Sequence, residues 1–196
     1  MSLTLTAFGI GVLAATGIVA MLVVTLATDR RLWPPGERSA AYYGHWSLVW
    51  IFNGALVATA YLDWNEWVLP RPSSFVAGAV LAGVGAAIFV RSAGVMDSAE
   101  TMGVTGDLYT DGPYAYSRNP QYVGMIVGIA GFALLVDSRY VAGLAAAHVA
   151  WVLLLPRAEE PHLRAEFGEA YERYAERVPR FVGRRTLRRL RSQAST

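Results

Sequence analysis

The chain has 196 residues, of which 54% are hydrophobic and only 16% are charged, and its mean hydropathy is positive. Such a composition is too apolar for an ordinary soluble domain and predicts an integral membrane protein. There is no cysteine, which excludes disulfide bonds, thiolate metal sites and cysteine nucleophiles. The formal net charge is only +2, and all 17 positively charged residues are arginines, so their placement matters more than their sum.

Five apolar stretches follow one another along the chain, at residues 3–27, 46–62, 73–90, 121–136 and 140–155. A membrane-spanning helix needs about 20 residues, and about 17 to 25 is the usual range. The first three stretches reach this length, and the last two are slightly shorter. Only Asp137, Ser138 and Arg139 separate the last two, which predicts a tight helical hairpin. We therefore expect an all-α integral membrane protein with five transmembrane helices, the last two forming a short hairpin, in a single domain over residues 1–196.

The arginines are distributed unevenly between the segments that join these stretches. Positive residues accumulate in cytoplasmic loops of membrane proteins. If the C-terminus is cytosolic, 15 arginines lie inside and only Arg71 and Arg139 lie outside. This distribution predicts an N-terminus outside and a C-terminus in the cytosol, and we expect the inner or plasma membrane of a prokaryote.

A charged segment, residues 157–196, follows the fifth apolar stretch. Its apolar residues recur at helical spacing, which predicts a cytosolic amphipathic helix on the surface of the bundle; they are Leu163, Phe167, Tyr171, Tyr174 and Val178. Six arginines lie between Arg180 and Arg191. These arginines either contact an anionic inner leaflet or only set the topology, and the sequence leaves both interpretations open.

The segment between the third and fourth stretches is polar, is interrupted by glycines and ends in DGPYAYSRNPQYVG, residues 111–124. Long ordered loops of this kind often carry function. Asn119 followed by Pro120 predicts a helix start, because asparagine caps helices and proline fits the first helical position. Tyr114 and Arg118 would then lie beside the positive end of a helix dipole, which favours an anionic group.

Two glutamates, Glu159 and Glu160, come directly after the fifth stretch. If the fourth and fifth stretches form a hairpin, the start of one and the end of the other are neighbours in space. The glutamates and the cluster around Arg118 are therefore predicted to form one site that faces the cytosol. Each group also has a simpler interpretation: the glutamates can complement a helix N-terminus before Pro161, and the tyrosines can belong to an aromatic belt.

Other features of the sequence predict packing rather than chemistry. There is no dinucleotide-binding fingerprint, P-loop or histidine pair with metal-ligand spacing, and we expect no metal and no nucleic-acid partner. His148 lies inside the fifth stretch and is either a functional ionisable group or, as we prefer, a neutral histidine hydrogen-bonded to a neighbouring helix. Gly124, Gly128 and Gly131 form a small-residue face that predicts close helix packing.

The motif DGPYAYSRNPQYVG, followed after two apolar stretches by AEEPHLRAEFGEAYERYAERVPRFV, resembles a known family. It is similar to the integral-membrane methyltransferases typified by isoprenylcysteine carboxyl methyltransferase and the phospholipid N-methyltransferases. The resemblance covers residues 91–182. Asn119 stands where the family has a histidine; because asparagine cannot ionise, only a hydrogen-bonding or capping role is expected there.

The resemblance implies that the chain binds S-adenosylmethionine. It assigns eight residues to the cofactor: Gly112, Tyr114, Arg118, Asn119, Pro120, Tyr122, Glu159 and Glu160. Arg118 would pair with the cofactor's carboxylate, one of the glutamates with its ammonium or ribose, and the tyrosine rings with its adenine or sulfonium. No catalytic residue is assigned. Arg91 can position an acceptor's head group, or it can simply snorkel to the interface, which we prefer.

The predicted function is a methyltransferase that uses S-adenosylmethionine to modify a lipid or small hydrophobic acceptor at the cytosolic membrane face. Membrane lipids and the hydrophobic acceptor are the expected partners. Two alternatives remain open, namely an NADPH-dependent membrane reductase of the sterol or steroid type, and a non-catalytic membrane module with a functional arginine-rich tail. Whether the acceptor is an amine, a carboxylate or a thiol stays open, as does the oligomeric state.

Overall fold

A computed structural model describes residues 2–193, without the side chains of residues 188–190, 192 and 193. The ends of the predicted domain, residue 1 and residues 194–196, lie outside the described residues. The described chain contains helices and no strand. In order these are α1 (Leu3–Ala27), α2 (Ala40–Leu62), α3 (Ser73–Ala93), α4 (Ser98–Thr101), a 3-10 helix (Gly112–Ala115), α5 (Pro120–Val136), α6 (Arg139–Arg177) and α7 (Arg184–Gln193).

Three helices in the described part of the chain, α1, α3 and α6, are long and apolar enough to cross a membrane. Helix α5 is apolar but has only 17 residues. The count of five spans needs α2 and α5 as well, so it stays a prediction. The hairpin has its expected form: α5 ends at Val136, and α6 begins at Arg139 after Asp137 and Ser138.

The fifth apolar stretch ends at residue 155, but the helix does not end there, because α6 continues through Pro156 and Pro161 into the charged segment. Proline removes a helical hydrogen bond and normally kinks or ends a helix. Here Leu155, Pro156 and Ala158 are all buried, and this packing outweighs the preference of proline. The helix departs from helical geometry only at Gly168, where φ is 50°. The part of α6 before Gly168 is about 43 Å long. A hydrocarbon core is about 30 Å thick, so this part of α6 is longer than a membrane span needs.

The main core lies between α1, α2, α5 and the first half of α6. Its completely buried side chains are large and aliphatic or aromatic, such as Ile18, Leu22, Phe52, Leu144 and Val152. Large apolar side chains also cover the outside of the bundle, including Leu13, Trp50, Val57, Val76 and Val90. An exposed apolar surface of this extent suits contact with lipid.

One end of the bundle is closed by the loop between α2 and α3. The backbone N–H of Asn65 donates to the Val136 carbonyl at 2.8 Å, and that of Trp67 donates to the Asp137 carbonyl at 3.0 Å. The Ser138 hydroxyl donates to the Asp63 carboxylate at 2.5 Å. These contacts fix the turn between α5 and α6 at this end, so the start of α5 and the second half of α6 must meet at the other end.

At that other end, the loop after α1 is joined to the polar segment that follows α3. Backbone hydrogen bonds connect Gly36 with Gly103 at 3.1 Å and Thr105 with Gly36 at 2.9 Å. The indole of Trp46 donates to the Met102 carbonyl at 3.0 Å. The loop after α1, the polar segment, the start of α5 and the second half of α6 therefore surround one region.

His148 has no hydrogen bond among the described residues, so the predicted bond to a neighbouring helix is wrong. Its ring lies against aromatic neighbours instead, 4.7 Å from the Trp151 ring and 5.8 Å from the Phe52 ring. His148 is therefore packed among aromatic rings.

The apolar stripe of the C-terminal segment forms a second, smaller core. Tyr171, Tyr174 and Val178 are buried, and Leu163 and Phe167 pack against them. The cluster includes Leu108 of the polar segment, so the stripe covers that segment. That this region is a cytosolic amphipathic helix stays a prediction.

Helices α3 and α5 pack backbone to backbone through glycines. A Cβ added at Gly85 would lie 2.3 Å from the Gly128 nitrogen, and one added at Gly131 would lie 2.3 Å from the Ala82 nitrogen. Real Cβ atoms do not approach a backbone so closely. The prediction that the glycine face of α5 serves helix packing is confirmed.

Replacing Gly85 with alanine is therefore expected to destabilise the protein by about 1–3 kcal/mol, because α3 and α5 would have to separate. Gly83 is the matched control: it lies on the same helix and an added Cβ would meet nothing within 4 Å. Gly83→Ala should leave the melting temperature unchanged or raise it, since alanine favours helix. Thermal unfolding in detergent measures both variants. Equal melting temperatures for Gly85→Ala and wild type would contradict the close packing.

Candidate active site

A cavity opens at the end of the bundle where the four segments meet, and it is lined by side chains from each of them. Six of the eight residues predicted for the cofactor line it, namely Tyr114, Arg118, Asn119, Tyr122, Glu159 and Glu160. Gly112 and Pro120 do not: Gly112 is exposed in the 3-10 helix, and Pro120 is buried as the first residue of α5. Arg91 lies exposed in the last turn of α3 and is not part of the lining.

Glu160 is the centre of an arginine cluster. Arg180 donates to both carboxylate oxygens, from Nε at 2.6 Å and from Nη2 at 2.7 Å. Arg118 Nη1 lies 3.1 Å from Oε1 and also donates to the Tyr171 hydroxyl at 2.9 Å. Arg164 approaches the other oxygen at 3.6 Å. The carboxylate of Glu160 is thus fully engaged by the protein, and it fixes Arg118 in the wall of the cavity.

The charges around Glu160 favour its ionised form. Burial opposes ionisation, but the hydrogen bonds from Arg180 and the positive charges of Arg118, Arg180 and Arg164 outweigh it, so the pKa of Glu160 is lowered from its ordinary value. The same contact raises the pKa of Arg180. Both groups are therefore charged at neutral pH, and they form a partly buried ion pair.

Glu159 has different partners and a different environment. Its Oε1 accepts hydrogen bonds from the Tyr122 hydroxyl and from the Trp33 indole, the latter at 2.8 Å. Among the described residues, no donor reaches Oε2. Burial raises the pKa of Glu159, although the hydrogen bonds from Tyr122 and Trp33 act in the opposite direction. Glu159 and Glu160 therefore have separate sets of partners, although they are adjacent in sequence.

The simpler interpretation of the glutamates is wrong. Both lie well inside α6, which begins at Arg139, so they do not complement a helix N-terminus. Asn119 occupies the N-cap position of α5, yet its side chain makes no capping hydrogen bond. Its Nδ2 donates instead to the Arg180 carbonyl at 2.9 Å. Of the two roles expected for Asn119, the hydrogen-bonding role is confirmed and the capping role is wrong.

Tyr114 is fixed at the inner wall of the cavity. Its hydroxyl donates to the Met96 sulfur at 3.0 Å and accepts from Gln121 Nε2 at 3.1 Å, while the Tyr174 hydroxyl donates to its carbonyl at 2.8 Å. Burial raises the pKa of Tyr114 to about 12. The hydroxyl is therefore neutral at physiological pH and acts as an ordinary donor and acceptor.

A compact loop closes the remaining side of the cavity, and Glu100 holds it together. The Glu100 carboxylate accepts from the backbone N–H of Asp97 at 3.0 Å, from that of Asp107 at 3.1 Å and from the Tyr109 hydroxyl at 2.8 Å. A Cβ at Gly106 would lie 1.9 Å from Glu100 Oε1. Glycine at this position therefore lets the loop fold tightly around the carboxylate.

The sequence reasoning missed several residues of the site. Trp33 lies in a loop far from the motif, and only its place on the predicted cytosolic side indicated it. Tyr171 and Tyr174 were assigned to an apolar stripe, although both line the cavity. Arg180 is the first of the six arginines for which the sequence leaves leaflet contact and topology setting open, and its ion pair with Glu160 is predicted by neither interpretation. The side chains of Arg188 and Arg189 from that run lie outside the described residues.

The sequence profile of the phospholipid methyltransferase family matches residues 73–170, half of the chain. The chain belongs to this family. The match includes the α5 and α6 hairpin, Arg118 and both glutamates, so the site described above lies largely within the segment that matches the family. Together with the three long apolar helices, membership indicates an integral membrane protein.

Three curated relatives match shorter parts of the chain. The protein-S-isoprenylcysteine O-methyltransferase of Schizosaccharomyces pombe is 39% identical over 74 residues, which is 37% of this chain and 31% of the relative. The nickel-cobalt-cadmium resistance protein NccN of Alcaligenes xylosoxydans xylosoxydans is 37% identical over 89 residues, 44% of this chain and 40% of the relative. The cobalt-zinc-cadmium resistance protein CzcN of Cupriavidus metallidurans is 38% identical over 85 residues, 42% and 38% respectively.

The matched segments thus span less than half the length of each of these relatives. The comparison with solved structures gave no significant match. Two of the relatives are named for metal resistance; in the described part of this chain, no three or more histidine, aspartate or glutamate side chains form a group that can hold a metal ion.

Proposed function

We propose that the chain is a methyltransferase that uses S-adenosylmethionine to methylate a lipid or another small hydrophobic acceptor at the cytosolic face of the membrane. Family membership supports the reaction class. The observation that carries the proposal for this chain is the convergence of Arg118, Tyr122 and Glu159 on one cavity at the end of the apolar bundle.

The unpaired groups of the cavity suit the amino-acid part of S-adenosylmethionine, which carries a carboxylate and an ammonium. Arg118 Nε is a buried donor with no partner among the described residues. Glu159 Oε2 is a carboxylate oxygen without a donor in the same part of the structure. A buried donor without a partner, such as Arg118 Nε, is costly and marks a place where a ligand belongs. One cationic donor and one anionic acceptor complement a zwitterion.

The charge of the lining also favours this cofactor over NADPH. Four carboxylate residues line the cavity, Glu100, Asp107, Glu159 and Glu160, against two arginines, Arg31 and Arg118. Glu160 is neutralised by its arginines, but the remaining acidic groups leave the cavity without an excess of positive charge. S-adenosylmethionine has a net positive charge because of its sulfonium, whereas NADPH carries several phosphates that require clustered cations.

Each residue has a defined task in this proposal. When bound, the cofactor supplies an activated methyl group. Arg118 would hold the carboxylate and Glu159 the ammonium or a ribose hydroxyl, while the rings of Tyr114 and Tyr122 offer faces to the adenine or the sulfonium. Glu159 lies just past the apolar half of α6. The cavity would therefore lie next to the membrane surface, where a lipid acceptor has its head group. Alignment of acceptor and donor and exclusion of water are the main contributions of the protein.

Titration calorimetry of the purified protein with S-adenosylmethionine and, separately, with NADPH tests the proposal. Saturable heat with S-adenosylmethionine and none with NADPH is the expected result, and Arg118→Ala should abolish it. The reverse pattern would favour a membrane reductase. Binding of neither cofactor, together with loss of function on deletion of residues 184–191, would favour a non-catalytic module.

The acceptor is identified in a second step. Purified protein is incubated with native membrane lipid extract and isotope-labelled S-adenosylmethionine, and the products are analysed by mass spectrometry. The class of the labelled product, whether amine, carboxylate ester or thioether, names the acceptor. The Arg118→Ala variant, which is expected not to bind the cofactor, serves as the control for background labelling.

A further inference from the structure

Trp33 belongs to the candidate site although it lies outside the segment that matches the family. It comes from the loop between α1 and α2. Its indole N–H donates to Glu159 Oε1 at 2.8 Å, across 126 positions of sequence. Only 4% of the residue is exposed, so this hydrogen bond is shielded from bulk water and is stronger than an exposed one.

The indole is held in place from several sides. The Thr25 hydroxyl oxygen accepts from the backbone N–H groups of Leu32 and Trp33, both at 3.2 Å, and ties the loop to the end of α1. The ring stacks on His45 with centroids 4.1 Å apart and an interplanar angle of 28°. A Cβ at Gly103 would lie only 2.9 Å from the ring. Trp33 is therefore a preorganised donor rather than a mobile side chain.

Both hydrogen bonds to Glu159 reach the same oxygen. Trp33 and Tyr122 donate to Oε1, and no described residue donates to Oε2. Two donors from different segments fix the plane of a carboxylate, whereas a single donor allows it to swing. The pair thus determines which oxygen of Glu159 is left unpaired.

We propose that Trp33 is a positioning residue of the cofactor site: with Tyr122 it holds Glu159 Oε1, so that Oε2 is presented to an ammonium or hydroxyl group of the methyl donor. The proposal rests on the function proposed above. It assigns part of the site to the N-terminal half of the chain, which the family profile does not cover.

The test replaces Trp33 with phenylalanine, which keeps an aromatic ring on His45 but removes the donor. The dissociation constant of S-adenosylmethionine is measured by calorimetry across a pH series. We expect about tenfold weaker binding at neutral pH, since a hydrogen bond to a charged group is lost. The pH midpoint of binding should also move upward, because the lost donor stabilised the ionised form of Glu159.

The other titratable or charged groups around Glu159 are unchanged in this variant. They come from each segment that packs against it: Tyr114 from the 3-10 helix, Tyr122 from α5, Glu160 and His162 from α6, Arg31 from the loop after α1 and His45 from α2. A shift of the midpoint on removal of the indole N–H is therefore assigned to Glu159. The double variant with Glu159→Gln should show no further shift.

Trp46→Phe is the matched control. Trp46 belongs to the same aromatic group, with its ring 6.4 Å from that of Trp33, but its N–H donates to the Met102 carbonyl. This variant should leave the pH midpoint unchanged. Tyr122→Phe removes the other donor to Oε1 and should move the midpoint in the same direction as Trp33→Phe, which gives a second measurement if Trp33→Phe folds poorly.

Weaker binding by Trp33→Phe with an unchanged pH midpoint would show that Trp33 only packs the loop, and it would overturn the proposal. Wild-type affinity in Trp33→Phe would overturn it as well. Failure of the wild-type protein to bind the cofactor would instead reject the proposed function. In that case the pH dependence of the melting temperature without cofactor decides: a shift in Trp33→Phe supports the Trp33 contact to Glu159, and no shift refutes it.

Discussion

Replacing Glu159 with glutamine is expected to weaken S-adenosylmethionine binding about 10- to 100-fold, without destabilising the protein. The amide can still accept from Tyr122 and Trp33, but it presents an N–H₂ group where Oε2 faces the ligand. A hydrogen bond to a charged group contributes about 1.5–3 kcal/mol, which corresponds to this range of affinity. Since burial raises the pKa of the Glu159 carboxyl, removing its charge should not reduce the melting temperature.

Calorimetry and thermal unfolding measure the two effects separately. Glu166→Gln is the control, because Glu166 is exposed on the same helix and does not line the cavity. Its affinity and melting temperature should equal those of wild type. Unchanged cofactor affinity in Glu159→Gln would remove this glutamate from the binding site.

Glu160→Gln, unlike Glu159→Gln, is expected to destabilise the protein, by roughly 3 kcal/mol. The change leaves Arg118, whose side chain is 11% exposed, and Arg180 without their anionic partner. An uncompensated buried charge is the costly outcome when one member of a buried ion pair is removed. Cofactor affinity should also fall, because Arg118 loses the contact that fixes it.

Acid provides a second readout for Glu160. A lowered pKa in the folded state means that the Glu160 carboxylate stabilises the fold at pH values above its unfolded pKa, and that this contribution disappears as the pH falls through the lowered pKa. Glu160→Gln should abolish this part of the acid sensitivity. Glu169→Gln removes a pair with Arg173 in which the glutamate is 92% exposed, so it should change neither stability nor acid sensitivity. Equal stability of Glu160→Gln and wild type would contradict the arginine cluster.

The convergence of the two motifs was predictable from the sequence because it depends on local features. Because only Asp137 and Ser138 separate the two apolar helices, the helices must pack antiparallel to each other. The start of α5 and the second half of α6 therefore lie next to each other, independently of the fold of the other segments. The packing role of the glycine face of α5 was predictable for a similar reason, since small residues at regular spacing in an apolar helix usually allow close contact with another helix.

The parts that the sequence did not predict depend on contacts between distant segments. Trp33 reaches Glu159 only because the loop after α1 is paired with the polar segment, and no local pattern specifies that pairing. Arg180 resembles its neighbouring arginines in sequence, and only the fold places it on Glu160. The continuation of α6 through Pro156 reflects burial, which outweighs the local preference of proline.

The central claim is that residues 111–124 and the two glutamates form one cavity for a methyl donor. Ultraviolet crosslinking of radiolabelled S-adenosylmethionine to the purified protein, with peptide mapping by mass spectrometry, tests it most directly. The expected label falls on peptides that contain Tyr114, Tyr122 or Trp33, and excess unlabelled cofactor abolishes it. Competable label confined to peptides outside the cavity, such as those of α7 or the loop between α2 and α3, would contradict the claim.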